Sequence, residues 1–258
     1  MPRRSRTPAV RCAARRSAPR RDDHMRSAKR TGQTIGLLIL AQVTAGPIVN
    51  FGLLRPITTP GFLANAVGSS LQLGVAVVVL FVTGALSIGI AVTAWPVFRE
   101  YSPRMALSLL SLGVASFSVA AVENCSVMSM LSLSQAYAAA DTADPGVFEA
   151  LGVVVRAARR WAHVTNLLVG GGMIFIFYSI LYRFALVPRA LSAFGLAAAL
   201  LHIAAVTMAF LGPYVFPLMI PLGVSYLAIA LWLMAKGFDE GPHAPRPGAE
   251  GGAGLSGA

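Results

Sequence analysis

Residues 71–95 read LQLGVAVVVLFVTGALSIGIAVTAW and contain no charged side chain. A helix of about 20 apolar residues is as long as the hydrocarbon core of a bilayer is thick. This stretch is therefore long enough and apolar enough to cross a membrane once. Because the bilayer offers no water to the backbone, we expect a spanning segment of this kind to be helical.

Five further stretches share this length and apolar character. The sequence therefore predicts an all-α fold, a polytopic transmembrane bundle of six helices that occupies residues 31–237 as one domain. The predicted spans are residues 34–54, 71–95, 105–130, 161–182, 190–211 and 214–235. Pro217 and Pro221 lie one turn apart in the last span and predict a kink there.

The composition agrees with a membrane location. Of the 258 residues, 56% are apolar and 12% are charged, whereas a soluble domain carries about 25% charged residues. The net charge of +11 is concentrated at the start, where residues 1–30 hold 11 of the 21 Lys and Arg residues. A basic segment beside a first membrane span is typical of a topology signal, so we expect no nucleic-acid partner.

Both chain ends are predicted to lie outside the membrane domain. Residues 1–30 are expected to form a disordered basic leader, with Met25 as an alternative start, and residues 238–258 a disordered Gly-, Pro- and Ala-rich tail. With the N-terminus inside, 17 Lys and Arg residues lie inside and four lie outside. The positive-inside rule then favours an inner (plasma) membrane protein with both termini in the cytoplasm. Without the leader the counts are six and four, and the outer pair Arg159–Arg160 is the main departure.

The longest connection, residues 131–160, is predicted to be an exposed loop. Pro145 is suited to the first turn of a short helix, and apolar residues then recur on one face as far as Val155. Two interpretations remain, an amphipathic helix lying in the outer interface or an ordinary helix within a loop.

Glu123 is the only acid well inside a predicted span. A charged side chain there costs about 2.5–3.5 kcal/mol on insertion scales, and such residues often have a function. The alternative is a protonated carboxyl group that hydrogen-bonds a neighbouring helix.

Helical rise places other polar residues near Glu123 in depth. Counted at 1.5 Å per residue from each span's midpoint, Asn50 and Asn166 lie at the depth of Glu123, about 8 Å outside the midplane. His163 lies about one turn further out, and His202 lies near the midplane. Since polar groups in lipid need partners, we predict an outward-facing polar cluster. The ligand-binding or proton-relay candidates are Glu123, His163, Asn166, Asn50 and His202. The amides alone are also explained as bonds that hold helices together.

The sequence predicts no cofactor and no metal site. Each intramembrane histidine, His163 and His202, is alone on its helix without paired-ligand spacing. Cys12 and Cys125 have no zinc spacing, and Cys125 is interpreted as a small buried residue. No nucleophile-elbow or metalloprotease motif is present, which favours a protein that is not an enzyme.

These residues favour binding or transport of a small solute or a proton through the polar cluster. Two other functions remain open. One is a non-catalytic membrane scaffold with a protein partner or a second copy of itself, and the other is an intramembrane lipid-modifying enzyme. The partner common to all three is the lipid bilayer.

Several short patterns occur together along the chain. They are GLLIL at residues 36–40 followed by Gly46, the pair Val122-Glu123, His163, VPRAL at residues 187–191 and LWLMAKG at residues 231–237. With these patterns the chain resembles the bacterial family labelled domain of unknown function 4386, over about residues 30–237. The resemblance implies a six-helix membrane fold and no particular reaction.

Two positions depart from that family's pattern. Gln33 stands where such proteins often have an Arg before the first-span glycine, and Ala120 stands where an Arg often precedes the third-span acid. The second change removes a natural ion-pair partner for Glu123, which weakens any mechanism that depends on its charge.

Overall fold

The computed structural model describes residues 21–140, 145–212 and 215–239, with side chains from residue 27 onward. The regular elements within these ranges are all helical. Six of the helices are long and apolar enough to cross a membrane. The predicted all-α bundle of six transmembrane helices is thereby confirmed.

The elements follow one another in a simple order. α1 (Arg21–Pro47) continues as a π-helical turn (Ile48–Leu53), and two short helices follow, α2 (Arg55–Thr58) and α3 (Phe62–Asn65). A 3-10 turn (Val67–Ser69) leads into α4 (Ser70–Tyr101), α5 (Pro103–Ala139), α6 (Pro145–Arg183) and α7 (Arg189–Leu211). A second 3-10 turn (Phe216–Met219) leads into α8 (Ile220–Lys236).

The six long helices form a ring. Each packs against its neighbours in the chain, α4 packs against α1, and α8 returns to close the ring against α1. The start of α1 and the end of α8 therefore meet, and the Lys29 backbone lies against Gly237. We call this end of the ring the proximal end and the opposite end the distal end.

Two glycines allow α1 and α8 to cross closely near the proximal end. A Cβ atom at Gly36 would lie 2.8 Å from the Ala230 carbonyl oxygen, and one at Gly32 would lie 2.6 Å from the Phe238 nitrogen. Small residues one turn apart let apolar helices approach to backbone contact. The family pattern around Gly36 therefore has a packing explanation.

The chain ends near the bundle are more ordered than expected. Residues 21–30, predicted as part of a disordered leader, belong to α1, because Ala, Arg and Lys readily extend a helix that packing has already stabilised. After α8, Gly237 turns the chain with φ 75°. Phe238 is then buried with its ring centroid 5.6 Å from that of Phe98. Residues 1–20 and 240–258 lie outside the described residues.

The long exposed loop predicted at residues 131–160 is wrong. α5 continues to Ala139 and α6 begins at Pro145, so the connection is short. The amphipathic segment is the first part of α6 and not a separate helix. At 1.5 Å per residue these helices are more than about 50 Å long, well beyond the roughly 30 Å of a hydrocarbon core.

The extra length of α5 and α6 is used at the distal end. We call α2, α3 and the distal ends of α5 and α6 the distal cap. The Phe62 side chain is buried there against Gly152, and the Ser134 hydroxyl donates a hydrogen bond of 2.7 Å to the Leu63 carbonyl oxygen. Buried apolar contacts thus hold the cap onto the bundle.

Two local expectations concern single residues of the helices. In the last span Pro217 lies in the 3-10 turn and Pro221 lies in the first turn of α8, where a missing N–H is tolerated, so the span changes from 3-10 to α geometry between the two prolines. Cys125, interpreted as buried, is exposed on α5. It lies on a face that no neighbouring helix covers.

Candidate functional site

A buried carboxylate on α5 is paired with two side chains of α6. The Glu123 Oε1 atom lies 2.9 Å from His163 Nδ1 and 3.6 Å from Arg159 Nη2. The Glu123 side chain is only 4% exposed. With Glu123 ionised, as its pairing with Arg159 favours, the His163 Nδ1 atom carries the proton of this contact and donates it.

Two further residues extend this arrangement. Asn166 lies close enough to stabilise the Glu123 charge electrostatically, and its Oδ1 atom accepts a bond of 3.0 Å from the Ser116 hydroxyl. We call Ser116, Glu123, Arg159, His163 and Asn166 the polar cluster. It joins α5 and α6 by ionic and neutral hydrogen bonds, so the buried charge is compensated from several directions.

Helical spacing explains why these side chains meet. Residues 159, 163 and 166 are four and three positions apart, which places them on one face of α6. That face packs against α5, where Ser116 and Glu123 are two turns apart. A charge of this kind persists in a membrane helix only when it is paired.

Arg159 is the charged member that sequence reasoning missed. It was counted as an outer loop charge, yet its side chain is 13% exposed and paired with Glu123. The signal was available, because the face of His163 and Asn166 reaches Arg159 when extended one turn back. Ala120, on the same helix as Glu123, cannot pair with this acid. Arg159 of α6 supplies the positive charge in its place.

A large cavity lies beside the polar cluster in the distal half of the ring. Its volume is about 980 Å³, and α1, α6, α7 and α8 form its walls. The polar residues of the wall are Asn50, Thr58, Arg159, Arg160, His163, His202 and Tyr226. Most of the remaining wall is apolar, and cavities of this size hold small molecules in many proteins.

His163 connects the cavity with the buried acid. Its side chain is 31% exposed and lines the cavity, whereas Glu123 lies behind it at 4% exposure. His163 is therefore the member of this pair that the cavity reaches directly.

The other two candidate residues line the cavity without joining the polar cluster. The Asn50 amide donates a bond of 3.0 Å to the Gly46 carbonyl oxygen of its own helix. His202 Nε2 lies 3.1 Å from the Leu167 carbonyl oxygen, so Nε2 carries a proton. The structure thus brings Glu123, His163 and Asn166 together and leaves Asn50 and His202 apart from them.

Two buried nitrogen atoms in the cavity wall have unused bonding capacity. Arg159 Nε and His202 Nδ1 have no hydrogen-bond partner among the described residues. In a neutral His202 ring, Nδ1 is an acceptor, whereas Arg159 Nε is a donor. Buried polar atoms are usually satisfied, so these two are exceptions, and each has almost no surface that a water molecule could touch.

The first helix changes its geometry where it lines the cavity. Pro47 lacks a backbone N–H, and the π-helical turn Ile48–Leu53 begins directly after it. Asn50 and Phe51 of this turn both border the cavity. Single π-helical turns are frequent at functional sites because they redirect side chains.

Within the described ranges, no group of three or more His, Cys, Asp and Glu side chains is arranged to hold a metal ion. His163 and His202 have other partners, a carboxylate oxygen and a backbone carbonyl oxygen.

Comparison with known proteins identifies a family for this chain. A family model described as domain of unknown function (DUF4386) matches residues 34–237. The chain belongs to this family. The matched residues include the membrane-crossing parts of all six long helices together with the polar cluster. No curated protein and no solved structure matches the chain.

Proposed function

We propose that the protein binds a small solute in the cavity and carries protons across the membrane through His163 and Glu123, both with and without that solute bound. The solute's polar end would lie against the polar cluster. Glu123 is buried between α5 and α6, and its partner His163 borders the cavity. A change in the protonation of either side chain therefore alters the hydrogen bond and the charge at the other.

One observation carries the proposal. The contact of 2.9 Å between His163 and Glu123 links a group that borders the cavity to one that does not. Arg159 also borders the cavity and pairs with Glu123, but only the His163 ring can take up and release a proton. A proton-linked binding site requires such a border, because the proton enters from the side where the solute binds.

The test is proton flux through the full-length protein in liposomes. Liposomes that contain a pH-sensitive dye receive an inward proton gradient, with the membrane potential clamped by potassium and valinomycin. We expect wild-type protein to acidify the lumen faster than protein-free liposomes do. Glu123→Gln and His163→Gln should each return the rate to the protein-free level.

Glu100→Gln is the matched control, because Glu100 is exposed at the end of α4 and does not line the cavity. It should retain the wild-type rate. A wild-type rate equal to that of protein-free liposomes would rule out proton transport. A Glu123→Gln rate equal to wild type would rule out a role for the acid in it.

We also propose that both chain ends face the cytoplasm across a plasma membrane. The count of Lys and Arg supports this orientation, and the pairing of Arg159 with Glu123 strengthens it. One of the four charges assigned to the outer side then belongs to a buried pair and not to a loop.

A further inference from the structure

We infer that the solute is an anionic amphiphile, a molecule with one negatively charged head group and a long apolar tail. This deepens the proposed function, since it rests on the cavity being a solute-binding site and names the chemical class of the solute. The charge, shape and opening of the cavity each point to this class.

The charge of the wall is positive at one end. Arg159 is compensated by Glu123, but Arg160 is exposed and has no carboxylate within ion-pair distance among the described residues. Its guanidinium group lies 5.5 Å from the centroid of the Trp161 ring. Nor does any described acidic residue line the cavity. The Arg160 guanidinium group, which lines the cavity, therefore offers donors to an anion.

The shape of the wall separates this charged end from a mainly apolar interior, in which His202 and Tyr226 are the polar lining residues. Along α6 the lining residues run from Arg159 and His163 through Leu167 to Ile174. At 1.5 Å per residue this distance is about 22 Å along the helix axis. Val43 of α1 and Leu222 of α8 line the interior as well. A long, narrow tail would bury apolar surface along this whole length.

The opening of the cavity is apolar. Phe51, Phe216, Ile220 and Val224 line the cavity, and each side chain is exposed by between 48% and 69%. The rings of Phe51 and Phe216 meet edge to face at 6.3 Å. In a membrane such a border favours entry of a molecule from the lipid phase over entry of a polar solute from water.

The test is equilibrium binding of radiolabelled palmitate to full-length protein in phosphatidylcholine nanodiscs, with empty nanodiscs as the measure of partition into lipid. We expect saturable binding to protein-containing nanodiscs only. Unlabelled palmitate should compete fully. Acetate, which has the charge without the tail, and hexadecanol, which has the tail without the charge, should compete at least about tenfold more weakly.

Two substitutions probe the two ends of the cavity separately. Arg160→Gln removes the unpaired charge and should weaken palmitate binding at least about tenfold, the scale of one charge-assisted hydrogen bond. Gly223→Leu should block the tail, because Gly223 lines the cavity and a Cβ atom there would meet nothing within 4 Å. Both sites have open space, so both variants are expected to fold.

Each substitution has a matched control away from the cavity. Arg104→Gln removes an exposed arginine of α5, and Gly74→Leu adds a side chain to α4 where a Cβ atom would also meet nothing within 4 Å. Both controls should bind palmitate as the wild type does.

The outcomes separate this inference from the proposed function. Equal uptake by empty and protein-containing nanodiscs, or equal competition by hexadecanol, overturns the anionic amphiphile. If the proton flux still depends on Glu123, the proposed function stands with a different solute. Palmitate binding that Arg160→Gln and Gly223→Leu weaken supports the class even where no proton flux is found.

Discussion

At the scale of single residues, the decisive contact is the ion pair between Glu123 and Arg159. Their side chains are 4% and 13% exposed and lie 3.6 Å apart. Removing one partner of a buried pair leaves the other charge uncompensated, and this costs more than the pair itself contributes. The two residues should therefore be strongly coupled in stability.

We expect Arg159→Met to lower the free energy of unfolding by about 3 kcal/mol, because His163 and Asn166 alone then compensate Glu123. The double variant Arg159→Met with Glu123→Gln should recover part of this loss. Reversible unfolding in mixed detergent micelles measures the free energy of unfolding of the single and the double variant. Arg156→Met, which removes an exposed arginine one turn away, should change stability by less than about 1 kcal/mol. A double variant as unstable as the sum of the single variants would show that the pair is not coupled.

At the scale of elements, the crossing of α1 and α8 positions the cavity. The two helices touch at Gly32 and Gly36 near the proximal end. In the distal half they are separated by the cavity that both of them line. There α1 changes to a π-helical turn and α8 is preceded by a 3-10 turn. Close contact at one end therefore accompanies an open space at the other.

The two glycines Gly36 and Gly46 provide a matched pair for testing this crossing. Gly36→Ala should lower the free energy of unfolding by roughly 1–3 kcal/mol, since its Cβ would lie 2.8 Å from backbone atoms of α8 and overpacking costs this much. Gly46→Ala on the same helix should be neutral or stabilising, because nothing lies within 4 Å of its Cβ and Ala favours a helix. Unfolding in mixed micelles compares them, and equal effects would contradict the close crossing.

At the scale of the whole molecule, ring closure places both described chain ends at the proximal end. Asp239 N donates to the Leu186 carbonyl oxygen at 2.9 Å, and the Lys29 backbone lies against Gly237. Six spans in alternating directions require this arrangement in any membrane. The orientation of the ring across the membrane follows from its charges.

We expect a cysteine placed at Lys236 to react with a membrane-impermeant maleimide only after the cells are opened. A cysteine at Thr59, in the distal cap, should react in intact cells. Both belong in a background with Cys12→Ser and Cys125→Ser. The positive-inside rule gives the physical reason, because basic segments are retained in the cytoplasm. Labelling in the opposite pattern would invert the proposed orientation, and labelling of both sites in intact cells would contradict six spans.

The sequence by itself determined the six helices and the burial of Glu123. Both follow from local properties of the chain. A long apolar stretch crosses the bilayer because its length matches the hydrocarbon core, and an acid inside such a stretch requires a partner because an unpaired charge is costly there. Depth counting also brought Asn166 to Glu123 correctly. It failed for Asn50, which lies at a similar predicted depth yet bonds to its own helix, because depth says nothing about how a helix is rotated about its axis.

Only the tertiary structure decided the ring closure, the cavity and the pairing of Arg159 with Glu123. Each of these depends on how far two helices are offset and rotated relative to each other, and close contacts such as that of Gly36 with the α8 backbone set those quantities. The spacing of residues 159, 163 and 166 places them on one face of α6. That this face contacts α5 follows only from how the helices pack.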